Sequence, residues 1–306
     1  QGLEYDLREI LASWFDVDFL ELRRITWDNA SAALLEKLIA YEAVHTINGW
    51  DDLKNRLDSD RRCFAYFHPR MPDEPLIFVE VALVNGLEGS IQSLLDQNAP
   101  VLNTIDANTA IFYSISNAQK GLAGISFGNF LIKRVANSLS NEFKGLKTFA
   151  TLSPIPGFME WLNKNLDENK PNFLSLSVSK VLKDLSQNEN TPEQTLKLIL
   201  ENHSWQKNKD ISEALRLPLM RLCAHYLVIE KGSKNWALDP VAHFHLTNGA
   251  HMEKLNWRGD LSNRGIKNSA GILINYLYDL SSVENNHEAY TSAGEVAASQ
   301  TVRNLL

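Results

Sequence analysis

The chain has 306 residues, 44% of them hydrophobic and 22% charged, with a formal net charge of -7 and a pI of about 5.7. That balance argues against a nucleic-acid binder, which needs a basic face, and no run approaches the roughly 18 apolar residues of a membrane span. Cys63 and Cys223 supply neither a disulfide framework nor zinc spacing, so a reducing, cytoplasmic setting is the expectation.

The chain opens at Gln1 on an amphipathic helical pattern already under way (Leu7, Ile10, Leu11, Trp14, Phe15), with no signal peptide, as expected of a piece of a longer chain. Phe19–Trp27 alternates like a partly exposed strand, and Asp28 or Asn29 is placed to cap a helix over Ala30–Val44. A short helix is expected at Trp50–Leu57 after the Asn48-Gly49 turn, then strands at Cys63–His68 and Leu76–Val84. The second of these is apolar on both faces except for Glu80, as a central strand would be. A buried glutamate is expensive unless paired, so Glu80 is expected to face solvent or to pair across strands. Ser90–Gln97 reads as a brief helix.

The centre of the chain is Ala110–Phe158. An apolar strand (Ala110–Ser116) runs into a glycine-punctuated turn, Gln119-Lys120-Gly121-Leu122-Ala123-Gly124, then a helix (Asn129–Phe143) and a second strand from Leu146. Glycines let backbone N–H groups approach a phosphate, and the following helix adds its positive dipole end. The same glycines also serve an ordinary strand–helix connection. The second strand ends in Ser153, followed by Pro154 and Pro156. Two fixed φ angles make a stiff support for a hydroxyl, although Ser-Pro is equally a helix cap with proline at the first helical position.

Phe158–Leu166 is helical, and residues 167–231 form a helical block. Within it, Thr191-Pro192-Glu193-Gln194 is a helix start with a capping pattern; further helices are expected at Ile211–Leu215 and from Pro218. Val241–Thr247 and His251–Arg258 read as strands around an Asn248-Gly249 turn, a hairpin signal. On a strand His243 and His245 would share a face, which suits a general acid/base histidine or a metal pair with His251 as third ligand; one solvent-facing histidine and one hydrogen-bonded core histidine are the alternative. A last helix is expected over Ile266–Leu280, with a loose polar tail from Ser281. Lys133, Arg134, Arg264 and Lys267 could meet phosphates or simply be solvated. His45, His68, His203, His225 and His287 read as surface or packing residues.

The element order gives an α/β (α+β) fold, a mixed β-sheet flanked by helices, and resembles the N-acetyltransferase-like (GNAT-like) fold that binds coenzyme A. Several segments together resemble malonyl-CoA decarboxylase: residues 68–83, FYSISNAQKGLAG (112–124), FGNFLIKRV (127–135), LSPIPGF (152–158), PLMRLCAHYL (218–227), DPVAHFHLTNGA (239–250) and LNWRGDLSNRGIKNSAG (255–271). The resemblance covers nearly the whole chain. It implies that residues 1–16 are the end of an N-terminal helical domain that mediates homo-oligomerisation in the full-length protein. It also implies that 17–306 is a GNAT-like catalytic domain with a helical insertion at 167–231. The catalytic residues it implies are Ser153 in LSPIPGF, His245 in FHLTNGA and Tyr278 in Asn275-Tyr276-Leu277-Tyr278. Gln119, Lys120, Gly121, Leu122, Ala123 and Gly124 would hold the pyrophosphate of the acyl-CoA. Ser126 stands where some relatives carry glutamate, so no role is given to a carboxylate there.

The implied reaction converts malonyl-CoA to acetyl-CoA and CO2 through a thioester enolate. No metal, biotin or pyridoxal cofactor is expected, because the thioester is itself the electron sink. The partners implied are malonyl-CoA and acetyl-CoA, with no nucleic acid and no membrane. Two other readings remain open: an acyl-CoA N-acyltransferase on the same fold, and a non-catalytic acyl-CoA-binding module.

Overall fold

The computed structural model describes residues 20–119, 128–168, 173–186, 190–202 and 204–306, with the backbone alone for 128–130 and 177. The amphipathic start, Lys120 to Gly124, Ser126 and His203 lie outside these residues. The chain divides into two compact units, one running up to Ser153 and including Tyr276–Glu284, the other made of Pro154–Asn275 and Asn285–Leu306.

The first unit is a mixed sheet with helices on its faces. It contains β1 (Glu21–Ile25), α1 (Ala32–Tyr41), α2 (Trp50–Arg56), β2 (Arg61–His68), β3 (Met71–Val84), α3 (Ile91–Leu94), β4 (Thr109–Asn117), α4 (Gly128–Glu142) and β5 (Thr148–Thr151). Strands β1 to β4 pair antiparallel in sequence order, and β5 joins β4 in parallel, Thr109 opposite Thr148 through Phe112 opposite Thr151. A parallel neighbour needs a long crossover, which α4 supplies. This is the mixed sheet flanked by helices that the element order implied. Helix α1 is capped by Ser31, whose side chain accepts from Leu34 N, rather than by Asp28 or Asn29; Asn29 instead closes the turn by accepting from Thr26 N.

Strand alternation assigns the two faces. Cys63, Ala65, Phe67 and Phe78 form one core with Leu35 and Leu38 of α1 and Leu53 of α2. Arg62 and Tyr66 face the other way, toward α4: Arg62 Nη2 reaches Glu142 at 2.8 Å, and the Arg134 guanidinium lies 5.9 Å from the Tyr66 ring centroid.

Glu80 belongs to the first face, since its partners across the ladder are Cys63 and Ser114. It is neither solvent-facing nor paired across strands, but 1% exposed and bound to Arg56 of α2 (Nη1 to Oε2, 3.0 Å). Arg56 also donates to Asp52 at 2.8 Å and to the Thr46 carbonyl at 3.1 Å. Next to Glu80 the β3–β4 register slips, with Glu80 opposite Ser114 and Val81 opposite Phe112, leaving Tyr113 as the extra residue of a β-bulge. Burial pushes the Glu80 carboxyl up to about 8; Arg56 opposes this, while Glu42 and Asp52 add to it. The upward shift survives the contact with Arg56 because Asp52 already neutralises that guanidinium.

The second unit is mainly helical: α5 (Phe158–Asp167), α6 (Leu176–Leu185), α7 (Pro192–Glu201), α8 (Lys209–Val228), α9 (Pro240–Thr247), β6 (His251–Asn256) and α10 (Asn263–Ser269). Strand β7 (Leu273–Leu277) starts beside β6 in this unit and ends in the first, where Leu277 pairs antiparallel with Ala150 of β5. Helices α11 (Val283–Ala293) and α12 (Gln300–Arg303) complete the chain.

Several expectations fail in this half. Residues 241–247 are helix, not strand, so Asn248-Gly249 closes a helix rather than a hairpin. The segment expected as one helix over 266–280 is α10, a left-handed stop at Ala270 (φ 52°) and Gly271 (φ 78°), and then strand. Residues 211–215 and the run from Pro218 are one 20-residue helix, and the tail after Ser281 is mostly helical. The capping box at Thr191 and Gln194 forms as expected. No helix among the described residues is long and apolar enough to cross a membrane. Both cysteines are free and buried, and burial pushes both thiols well up.

Removing Arg56 (Arg56→Met) strips a buried partner from Asp52 and Glu80 and is expected to cost about 3–5 kcal/mol in urea unfolding. Glu80 also ties stability to pH. Its folded pKa lies above its ordinary value of 4.5, so its contribution is full below that value and is lost as pH rises through about 8. The urea midpoint of the wild type should therefore fall across this range more steeply than that of Glu80→Gln; parallel curves would refute the assignment.

Candidate functional site

The glycine turn is described only at its entrance. Gln119 follows β4, and its amide Nε2 donates to Glu74 Oε1 at 2.8 Å and to the Pro75 carbonyl at 3.4 Å. The Glu74 carboxylate also takes Lys37 Nζ at 2.6 Å and Tyr41 Oη at 2.9 Å. The Lys37 hydrogen bond chiefly holds Glu74 below the usual carboxylate range. Gln119 is thus engaged with β3, through a carboxylate that α1 also holds. The other five proposed cradle residues, Lys120 to Gly124, lie outside the described residues. Of the cations considered for phosphates, Lys133 pairs with Glu284 at 2.5 Å and Arg134 stacks on Tyr66, while Arg264 and Lys267 are exposed on α10.

Ser153 sits two residues beyond β5, 6% exposed. It is not a helix cap: α5 begins at Phe158 with Gly157 as its N-cap. Its hydroxyl donates to Thr151 Oγ1 at 2.8 Å, and the same oxygen accepts the Tyr276 N–H at 3.3 Å. Leu152 N donates to Phe112 O at 3.0 Å on one side of the strand; on the other, Tyr278 N donates to Phe149 O at 2.8 Å. The serine segment is therefore bracketed by β4 and by the end of β7, and the backbone of Tyr278 belongs to that bracket. The Tyr278 phenol is 4% exposed, and burial pushes its pKa well up, so it is a neutral hydroxyl.

His245 belongs to the other unit, on α9. Two residues on a helix lie about 200° apart around its axis, so the shared-face geometry of His243 and His245 does not exist. His243 Nδ1 meets Tyr290 Oη at 2.8 Å, and its ring stacks on Trp236 at 4.8 Å. His251 Nε2 meets Glu253 Oε2 at 2.9 Å. His245 is 3% exposed, edge-on to Phe244, with ring centroids 5.0 Å apart. Burial drives its pKa down to about 3. Its imidazole is therefore neutral across the working pH range: a hydrogen-bonding group and not a reservoir of positive charge.

Three residues that hold these groups were not singled out in the sequence: Thr151, which accepts the Ser153 hydroxyl; Asp239, which caps α9; and Tyr226, which reaches Asp239 at 3.4 Å. Asp239 was legible, since Asp239-Pro240 is the same cap-plus-proline start as Thr191-Pro192.

The first unit is a mixed α/β sheet that carries Ser153 just past a strand end, and the second, mainly helical unit carries a buried, neutral His245 on a short helix. The sequence pattern of the malonyl-CoA decarboxylase C-terminal domain matches residues 18–306, and the chain belongs to that family. It is 42% identical to the mitochondrial malonyl-CoA decarboxylase of Anser anser anser, an alignment covering 97% of this chain and 59% of that protein. With the Rattus norvegicus protein of the same name it is 38% identical, over 98% of this chain and 62% of that one. The chain thus spans about 60% of the length of the curated relatives it matches. The crystal structure of malonyl-CoA decarboxylase from Agrobacterium vitis superposes with a TM-score of 0.90 at 44% identity, covering 99% of this chain and 71% of that one.

Thr151→Val keeps the shape of the side chain but removes the oxygen that accepts from Ser153 and Tyr276. It should lower the unfolding free energy by about 1–3 kcal/mol with an unchanged urea m-value; a stability equal to wild type would remove Thr151 from this network.

Proposed function

We propose that the chain is the catalytic part of a malonyl-CoA decarboxylase, with residues 17–306 as the catalytic domain. The observation that carries this reading is family membership over 18–306. Supporting it are the states of the named groups: a neutral, buried His245 and a Ser153 hydroxyl held at a strand end.

In the proposed reaction the C–C bond to the malonyl carboxylate breaks, CO2 leaves, and the electron pair moves into the thioester as an enolate. A proton drawn from solvent then adds to C2, the enolate electrons re-form the thioester carbonyl as the C2–H bond is made, and acetyl-CoA results. The step needs donors aimed at the thioester oxygen where negative charge develops. A neutral imidazole suits this task. It donates one N–H without having bound a proton beforehand, and with a pKa near 3 its protonated form is too scarce to act as a proton store. We therefore assign His245 as polariser of the thioester. Ser153 orients the carboxylate or relays the proton, and Tyr278 acts as a neutral hydroxyl donor. The residues from Gln119 to Gly124 are assigned to the pyrophosphate, with Gln119 as the anchor of the turn. The thioester accepts the electrons itself, so the reaction as written calls on no metal or organic cofactor. We further propose a cytoplasmic, reducing setting and homo-oligomerisation in the full-length protein.

Mixing the protein with malonyl-CoA should yield acetyl-CoA and CO2 without an amine acceptor and without sensitivity to chelators. Release of free CoA only when an amine is present would favour an acyltransferase, and CoA binding without turnover a non-catalytic module. Ser153→Ala and His245→Asn should each lower kcat by about 10²–10³-fold; near-wild-type turnover in either would remove that residue from its role. The kcat–pH profile should lack an inflection near the ordinary histidine value of 6.5, because His245 titrates far below it.

A further inference from the structure

Asp239 is 0% exposed, and no lysine, arginine or histidine forms an ion pair with it among the described residues. Both of its oxygens are filled by neutral donors. Oδ1 accepts Val241 N and Ala242 N at 3.0 Å each, the first turn of α9. Oδ2 accepts Gly157 N at 3.2 Å and Tyr226 Oη at 3.4 Å. A buried carboxylate is a costly cap where serine or threonine would satisfy a helix start. The second oxygen explains the choice: a hydroxyl cannot also accept from a second backbone segment and a phenol.

That segment is the end of the stiff run Ser153-Pro154-Ile155-Pro156-Gly157. Gly157 is held so close that a Cβ built on it would collide with the Tyr226 hydroxyl. Tyr226 is itself fixed between the rings of Phe158 (5.9 Å) and Trp161 (5.3 Å). The far end of α9 is held separately, by His287 Nδ1 on the Thr247 carbonyl and by Asn286 Nδ2 on the Gly249 carbonyl at 3.2 Å. With its C-terminal end fixed, the angle of α9, and so the placement of His245 in its second turn, depends on what holds its N-terminus.

We propose that Asp239 is a positioning residue: it locks the N-terminus of α9, which carries His245, to Gly157 at the end of the serine loop, with Tyr226 as the wedge that keeps the two together. This rests on the reading of Ser153 and His245 as the reactive groups. A carboxylate shared between the two segments transmits a displacement of either one to the other.

Asp239→Asn separates the two functions. Its amide oxygen can still cap Val241 and Ala242, but its NH2 cannot accept from Gly157. We expect faster hydrogen exchange at Ile155, Gly157 and Phe158 as well as in residues 241–247, and a fall in kcat of about 10–100-fold with KM for malonyl-CoA within about threefold. The double variant Asp239→Asn/Tyr226→Phe should be little worse than Asp239→Asn alone, because both changes cut the same lock. A lower melting temperature with wild-type kcat per folded molecule, or faster exchange in α9 without a change at Gly157, would overturn the proposal. If Asp239→Asn does not fold, Tyr226→Phe decides: it removes a single bond and should lower kcat about 2–5-fold at unchanged KM, and an unchanged kcat overturns the lock. Should the wild type fail to turn over malonyl-CoA, the decarboxylase reading falls, and the exchange at Gly157 in Asp239→Asn decides the lock on its own.

Discussion

The parallel pairing of β5 with β4 is the constraint on which the arrangement of the first unit depends. Antiparallel neighbours β1 to β4 can follow one another through short turns, but a parallel neighbour must be reached by a crossover. That crossover is α4, preceded by the glycine turn, and it brings the C-terminal ends of both strands to the same end of the sheet. The glycine turn leaves from one of those ends and Ser153 lies just past the other. In open α/β sheets ligands gather at such strand ends, which is consistent with the proposal that the turn sequence meets an anion and that Ser153, about thirty residues later in the chain, serves the same task.

The polar residues buried in the two units are handled differently. In the first unit the sheet face under α1 and α2 carries Glu80, Arg56 and Asp52 as a charge cluster, with Glu42 accepting from Ser114 and Ser116 nearby. In the second unit, the carboxylate of Asp239 is held by neutral donors alone, and His245 is kept neutral by burial. Charge compensation gives a rigid support. Burial without a charged partner instead leaves His245 as a neutral imidazole with one N–H to donate, which suits the role proposed for it toward a developing negative charge.

Much of the first unit was legible because β2, β3 and β4 are long apolar strands and Asn48-Gly49 marks the start of α2. The serine and the histidine were legible only through family resemblance: Ser-Pro reads equally as a cap, and His-x-His on a supposed strand pointed to the wrong geometry. Residues 241–247 are a two-turn helix rich in aromatic and β-branched residues, so composition favours a strand while the deciding signal sits just before it, in Asp239-Pro240. The run from Ile266 to Leu280 keeps an apolar rhythm through a helix, a left-handed stop and a strand, and a period alone does not show where the backbone reverses. Pro218 looked like a helix start because proline usually is one; here packing of Leu215, Leu219 and Leu222 carries α8 through it, against a penalty of about 3 kcal/mol. Glu80 was misplaced because its partner comes from a helix 24 residues earlier, a distance that strand patterning does not see.

The two cysteines lead to something unconnected with chemistry at the strand ends. Cys63 lies in the sheet core of the first unit and Cys223 inside α8 of the second, 1% and 0% exposed. Neither thiol can be reached by a labelling reagent unless the surrounding structure opens. The protein therefore carries one native reporter in each half, and the rates at which the two positions become alkylated record separately how often each half breathes.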